Sequence, residues 1–196
     1  MKDLDSGLRR VVFLVAVANL AYFGVEFGVA LAIGSASLLA DSADFLEDAS
    51  VNLLIFFAMA WSAKNRARVG MAMAFILMAP ALAFLWTAWH EIMNPLPPAP
   101  FAMTLAGLGA LVVNVSCAYI LAAYRDHSGS LTRAAFLSAR NDAFANVAII
   151  AAGLGTAYLW YSAWPDLIVG FCIAYINLDA AKEVWEAARE EHDAVA

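Results

Sequence analysis

The chain has 196 residues, of which 64% are hydrophobic and 14% are charged, and its formal net charge is −6. Soluble domains are nearer half apolar and a quarter charged, so this composition, with a mean hydropathy of +0.74, indicates an integral membrane protein. The sequence has no Gly-rich phosphate loop, no basic patch suited to nucleic acid and no Cys-x-x-Cys metal motif.

Six apolar segments are long enough to cross a membrane, since a helix spans the hydrocarbon core with ~20 residues. They cover about residues 10–32, 37–62, 69–92, 101–124, 133–160 and 165–187. The first is longer than the apolar core of a cleavable signal peptide, which has about 7–15 residues. Residues 182–196 are too few to bury a core of their own. We therefore expect an all-α membrane protein, a single six-helix transmembrane domain over residues 1–196 without a soluble C-terminal domain.

The links between the segments fit this reading. Residues 33–36 join the first two helices in a tight hairpin, and the proline-rich link 94–100 cannot be helical because proline lacks a backbone donor. Basic residues set the orientation, because they collect on the cytoplasmic side of membrane proteins. With six spans, ten of them fall on one side: Lys2, Arg9, Arg10, Lys64, Arg66, Arg68, Arg125, Arg133, Lys182 and Arg189. We expect both termini to be cytoplasmic and the protein to lie in the inner (plasma) membrane.

The second apolar segment carries an acidic stripe. Asp41, Asp44, Asp48 and Asn52 are spaced by three or four residues, so they share one face of a helix. Carboxylates inside a membrane are costly and by default mark a functional site. The fifth segment carries a second polar stripe at the same helical spacing, formed by Ser138, Asp142 and Asn146.

The depths of these stripes match. At 1.5 Å per residue, Asp48 lies roughly 17 Å from the outer end of its helix and Asp142 roughly 14 Å from the inner end of its own. Both are therefore near the middle of a core ~30 Å thick, with Asp44 one turn further out. Three converging carboxylates ionise together only if a cation neutralises them; otherwise some bind protons. Competition between a divalent metal and protons is the basis of exchange transport, whereas a purely structural reading keeps the acids protonated and bonded to neighbouring helices.

These residues resemble those of the cation diffusion facilitator transporters, whose paired ligands follow the pattern His-or-Asp, three residues, Asp. Asp142 and Asn114 are also similar to residues of that family. The most specific part is the run Asn19…Glu26…Gly34-Ser35…Ser37-Leu38-Leu39-Ala40-Asp41…Asp44-x-x-x-Asp48. The resemblance implies a six-helix fold that exports divalent metals, usually zinc and its neighbours, from the cytoplasm in exchange for protons, generally as a dimer.

The chain departs from the family pattern in helix 5, where the first ligand position is Ser138. The fourth ligand is then Ser138, Asn141, a backbone carbonyl or water. No histidine lies in helix 2 or 5, which favours Mn²⁺ or Fe²⁺ as the transported metal. Zn²⁺, Co²⁺ and Cd²⁺ are the other candidates. We also expect the chain to lack the family's cytoplasmic domain, so a homodimer would form through transmembrane helices, with Gly24-x-x-x-Gly28 as a candidate contact.

The remaining polar residues have two readings each. Asp41 either guides the exit path or caps helix 2, and Glu26 either relays protons or pairs with a neighbouring helix. Asn52, Asn114 and Asn146 either support the ligands and the pathway or only join helices by hydrogen bonds. Glu47 and Arg140 either form an ion pair between helices 2 and 5, or Arg140 extends to the cytoplasmic surface.

We therefore predict an efflux transporter for a divalent transition-metal cation, a metal/proton antiporter with Asp44, Asp48 and Asp142 as ligands. It would need no cofactor, and its partners would be metal ions, protons, the lipid bilayer and a second copy of the chain. The alternative is a metal-binding membrane scaffold or accessory subunit that does not transport. An intramembrane hydrolase is disfavoured because Gly-x-Gly-Asp is absent and His90-Glu91 lacks the second histidine of HExxH.

Overall fold

A computed structural model describes residues 2–58, 80–124 and 130–177, and all regular structure in these ranges is helical. They contain six helical segments, which confirms the predicted all-α class. The segments are α1 (Lys2–Ile33), α2 (Ala36–Ala58), α3 (80–93), α4 (Pro100–Ala122), α5 (Ser130–Tyr158) and α6 (Trp164–Asn177). Helix α1 begins earlier than predicted because no proline interrupts residues 2–10. The predicted end of helix 2, start of helix 3 and end of helix 6 lie outside the described residues.

Two of the described helices are long and apolar enough to cross a membrane by length and composition, over Gly7–Ile33 and Pro100–Ala122. Helix α2 is long enough but carries four acidic side chains, which lower its hydropathy. Both apolar helices expose large aliphatic side chains, including Val25, Leu31, Leu105 and Val112. Such outward apolar surface suits contact with lipid rather than water.

The links 34–35, 94–99 and 159–163 lie at one end of the bundle, which we call the hairpin end. Here Gly34 adopts a φ of +68°, a conformation that glycine accepts without strain. The backbone amides of Gly34 and Ser35 both donate to the carbonyl of Ala30, at 2.8 and 3.0 Å, and so close the end of α1. Exposed aromatic rings surround this end, as at a membrane interface: Trp86, Trp89, Tyr158, Trp160, Tyr161 and Trp164.

Helix α6 is attached to the start of α2. Asp166 of α6 accepts hydrogen bonds from the backbone amide of Ala36 at 2.6 Å and from the hydroxyls of Ser35 and Ser37 at 2.7 and 2.5 Å. A carboxylate from another helix thus supplies the partners that the first amides of α2 need. A Cβ at Gly170 would lie 2.9 Å from the backbone nitrogen of Ser37, so the two helices are in direct backbone contact there.

The buried apolar side chains form two clusters. One lies towards the hairpin end and includes Leu38, Leu39 and Met103; the other lies towards the opposite end and includes Val15 and Leu121. Helix α4 packs along α5 and α1 along α2, and α1 also contacts α4. Between the two clusters, the buried residues of α1, α2, α4 and α5 are largely polar, so this fold encloses a polar layer inside an apolar bundle.

Candidate metal centre

Each acid of the α2 stripe accepts a hydrogen bond from a neutral side chain on another helix. The three acids are buried, with exposed fractions of 0%, 9% and 5% for Asp41, Asp44 and Asp48. The pairs are Asn146 Nδ2 to Asp41 Oδ2 at 2.6 Å, Asn177 Nδ2 to Asp44 Oδ1, and Ser138 Oγ to Asp48 Oδ1 at 2.9 Å. The stripe predicted from helical spacing is therefore one continuous line of contacts with α5 and α6.

The part of the chain that the structure describes places no positive side chain on these acids. Among the described residues, no Lys, Arg or His side chain bonds to Asp41, Asp44 or Asp48. Hydroxyl and amide donors stabilise a carboxylate less than a full positive charge does. The centre therefore has an excess of negative charge whenever more than one of its carboxyls is ionised.

Asp142 faces the same region from α5. It lines a cavity of about 470 Å³ between α5 and α6, together with Asp44, Asn141 and Asn177, and the other lining residues are mostly apolar. Asp142 is close enough to Asp44 and to Asp48 for repulsion between their charges. The structure thus brings the three predicted ligands to one region, at the polar side of an otherwise apolar cavity.

The carboxyls do not point at a common centre. In the ranges that the structure describes, no three His, Cys, Asp or Glu side chains lie close enough together to hold a metal ion as they stand. Asp44 is turned towards Asn177 and Asp48 towards Ser138. An ion at this position would have to replace those hydrogen bonds by rotation of the carboxyls.

One comparison with known proteins identifies the family: the model of the cation efflux transmembrane domain matches residues 12–190. The chain belongs to the cation efflux family. This confirms the resemblance drawn from helices 1 and 2, and it makes the chain a membrane-embedded protein of a family that transports metal cations and needs no cofactor. Members of this family are transporters rather than enzymes. No curated protein matches the sequence.

A second buried network lies beside the candidate metal centre of this cation efflux protein. Asn146 Oδ1 accepts a hydrogen bond of 3.0 Å from Asn114 Nδ2, which links α4 to Asp41 on α2. Glu26 of α1 lies next to Asp41, is fully buried, and has no hydrogen-bond partner in the described residues that meets ordinary geometry. The capping alternative for Asp41 is wrong, because α2 begins five residues earlier at Ala36 and its first amides bond to Asp166.

Four other predicted residues form no hydrogen bond or ion pair with these carboxyls among the described residues. Asn52 donates to the carbonyl of Asp48 in its own helix at 2.8 Å, and Asn141 is exposed. Arg140 Nη2 donates to Asn141 Oδ1 at 3.1 Å, and no ion pair joins it to Glu47 among the described residues. Both Glu47 and Arg140 are exposed, so the structure does not bring this pair together.

Sequence reasoning assigned no role to Asn177 or to Asp166. The available signal was spacing: Asp166, Gly170, Ile173 and Asn177 follow one another by four, three and four residues and share one face of α6. That face packs on α2. An asparagine at the end of such a stripe, in an apolar helix of a membrane protein, marks a contact with another polar group.

Proposed function

We propose that this protein exports a divalent transition-metal ion from the cytoplasm in exchange for protons. The observation that carries the proposal is a set of four buried or half-buried carboxyls, those of Asp41, Asp44, Asp48 and Asp142. The described side chains that donate hydrogen bonds to the first three are all neutral. A dication supplies the missing positive charge. Protons are the other cations that can neutralise the same carboxyls, so the two compete.

Asp44, Asp48 and Asp142 are the proposed ligands, and Ser138 lies beside them with its hydroxyl on Asp48. Carboxylate and amide oxygens accommodate hard and borderline divalent ions, which keeps Mn²⁺, Fe²⁺, Co²⁺, Zn²⁺ and Cd²⁺ as the candidate substrates. Asp41, Glu26, Asn114 and Asn146 form the proposed path between this centre and the hairpin end.

In this proposal the hairpin end faces outward, and both termini are cytoplasmic in the inner (plasma) membrane. The support is the charge distribution: the links at the hairpin end carry no Lys or Arg, whereas ten basic residues fall on the other side. Metal would enter from the cytoplasmic side and leave towards Asp41 and the hairpin end after helix bundles rock around the centre.

The proposed assembly is a homodimer through transmembrane helices. Gly24 and Gly28 lie one turn apart on α1, both exposed, and a Cβ at either position would meet no atom within 4 Å. A small-residue face of this kind permits close approach of a second helix. Cross-linking of single cysteines placed at Gly24 in cysteine-free protein tests it, and uniformly monomeric protein in the membrane would refute it.

The transport proposal is tested in liposomes that contain purified protein, an internal metal indicator and a pH-sensitive dye. We expect metal movement in one direction and proton movement in the other, both lost in Asp48→Ala. Glu47→Ala is the matched control, since Glu47 adjoins Asp48 on the same helix but is exposed. It should still exchange metal for protons, with at most a changed pH dependence, because its charge acts on the nearby carboxyls. Unchanged flux in Asp48→Ala overturns the assignment, and metal binding without any flux in the wild type favours the scaffold alternative.

A further inference from the structure

Asn177 is the described α6 side chain that bonds to a proposed ligand. Its amide nitrogen donates to Asp44 Oδ1, and Asn177 lines the same cavity as Asp142. Asp44 and Asn177 are 133 residues apart in the chain, so the contact depends on how α6 packs against α2. Asn177 therefore lies at the proposed metal centre although it belongs to neither helix that carries the acids.

The packing of α6 fixes this position firmly. The backbone contact between Gly170 and Ser37 is seven residues before Asn177 on α6 and seven residues before Asp44 on α2. Seven residues are two turns, so both contacts lie on the same faces of two helices that run in the same direction. The hydrogen bonds of Asp166 to the start of α2 fix the register. The amide of Asn177 is thus held at the depth of Asp44.

We infer that Asn177 is the fourth ligand of the transported ion and supplies its amide oxygen. This inference rests on the proposed function. An asparagine amide carries a donor on one arm and an acceptor on the other, so rotation about its last bond exchanges the two. When Asp44 turns to an ion, its hydrogen bond with Asn177 is lost, and rotation aims the Asn177 oxygen at the same ion.

The consequence is a centre built from three carboxylates and one amide oxygen, shared among α2, α5 and α6. It contains no imidazole, the ligand that favours Zn²⁺. An all-oxygen set lowers the advantage of Zn²⁺ over Mn²⁺ relative to a set with one nitrogen. Asn177 also supplies the fourth ligand that helix 5 lacks, because Ser138 stands where the family pattern has His or Asp and a hydroxyl is a weaker ligand than either.

The test measures binding of Mn²⁺ and Zn²⁺ to purified full-length variants by calorimetry. Asn177→Leu has nearly the same volume but no oxygen, and we expect it to weaken Mn²⁺ binding about tenfold or more, as lost ligand or supporting groups typically do. Asn177→Asp keeps an oxygen and should retain Mn²⁺ binding. Asn177→His supplies a nitrogen and should raise the ratio of Zn²⁺ to Mn²⁺ affinity about tenfold or more.

The ratio separates a ligand from a residue that only positions Asp44. A positioning role lowers both affinities together in Asn177→Leu and leaves the ratio unchanged in Asn177→His, and that result overturns the inference. Cys172→Ser is the matched control, since Cys172 is on the same helix and lines the same cavity; it should leave the ratio at the wild-type value. Asp48→Ala is measured in parallel: if it abolishes binding while the Asn177 variants keep the wild-type ratio, the inference fails and the proposed function stands.

For Co²⁺-loaded protein, the visible absorption spectrum gives a second readout, because it responds to a change from oxygen to nitrogen ligands. Asn177→His should shift this spectrum and Cys172→Ser should not. If Asn177→His and the wild type have identical spectra, residue 177 is not a ligand, even if Asn177→His binds less metal than the wild type.

Discussion

Asp166 of α6 accepts a hydrogen bond of 2.6 Å from the backbone amide of Ala36, the first residue of α2. Helix α2 thus receives its N-terminal cap from a helix that lies 130 residues further along the chain. The same carboxylate accepts from two serine hydroxyls. The helix that carries the acidic stripe is therefore held in register by α6.

Asp166→Ala should destabilise the protein, because it leaves the first amides of α2 without partners. Loss of an N-terminal cap costs about 0.5–2 kcal/mol. Thermal unfolding in detergent measures the effect. Asp166→Asn keeps one acceptor oxygen and should lose less; equal stability of the wild type and Asp166→Ala would contradict the capping role.

Gly170→Ala should separate α6 from α2. The added Cβ would lie 2.9 Å from the backbone nitrogen of Ser37, which cannot move as a flexible side chain does. Overpacking of this kind costs about 1–3 kcal/mol. We expect a lower melting temperature and weaker metal binding, since Asn177 and Asp44 move apart.

The matched control is Gly155→Ala on α5, where a Cβ meets no atom within 4 Å. Alanine is favoured over glycine inside a helix by roughly 0.5–1 kcal/mol, so this variant should be as stable as the wild type or more so. If both alanine variants melt at the same temperature, the close approach at Gly170 does not contribute to the stability of the protein.

Asn146→Leu should lower flux while leaving metal binding within a few-fold of the wild type. The substitution removes the donor to Asp41 and the acceptor for Asn114, so it disrupts the proposed path rather than the ligands. Flux and calorimetric affinity are measured on the same preparation. Asn52→Leu is the comparison, because the Asn52 amide bonds to a carbonyl of its own helix; a loss of binding in Asn146→Leu equal to that in Asp48→Ala would refute the distinction.

Ser138→Asp should tighten binding of divalent ions about tenfold, because it places a carboxylate where the family pattern has one and adds negative charge beside Asp48. Ser138→Ala removes the hydroxyl that bonds to Asp48 and serves as the size control. Calorimetry with Mn²⁺ compares the two. Equal affinities for both variants would show that position 138 is not directed at the ion.

Features that depend on a single helix could be predicted from the sequence alone. The acidic stripe of α2 follows from residues three and four apart, and six helices follow from apolar length. The hydrogen-bond partners of those acids were harder to predict. They are Asn146, Asn177 and Ser138, and the packing of α5 and α6 on α2 determines which side chains lie beside the acids. Helical spacing gives a face but not the neighbour that covers it.

The proposed Glu47–Arg140 pair illustrates the same limit. The spacing left both residues free to meet between helices 2 and 5, yet both are exposed and Arg140 bonds to Asn141. The rotation of each helix about its axis decides such a contact. Asp166 is another example: the sequence of α6 does not show that the start of α2 lies beside it, so its capping role was not predicted.

Because α6 is attached to the start of α2, we expect the two helices to tilt together about the contact at Asp166, which acts as the pivot. Asp44 lies seven residues beyond Ser37, which is about 10 Å at 1.5 Å per residue. A tilt of about 10° around the pivot displaces Asp44 by about 2 Å and Asn177, which is farther from Asp166, by about 3 Å relative to Asp142; a metal–oxygen bond is about 2 Å long. Asp142 stands on α5, across the cavity. If Asp44, Asp142 and Asn177 hold the ion as proposed, a tilt of this size is sufficient to make or break its coordination.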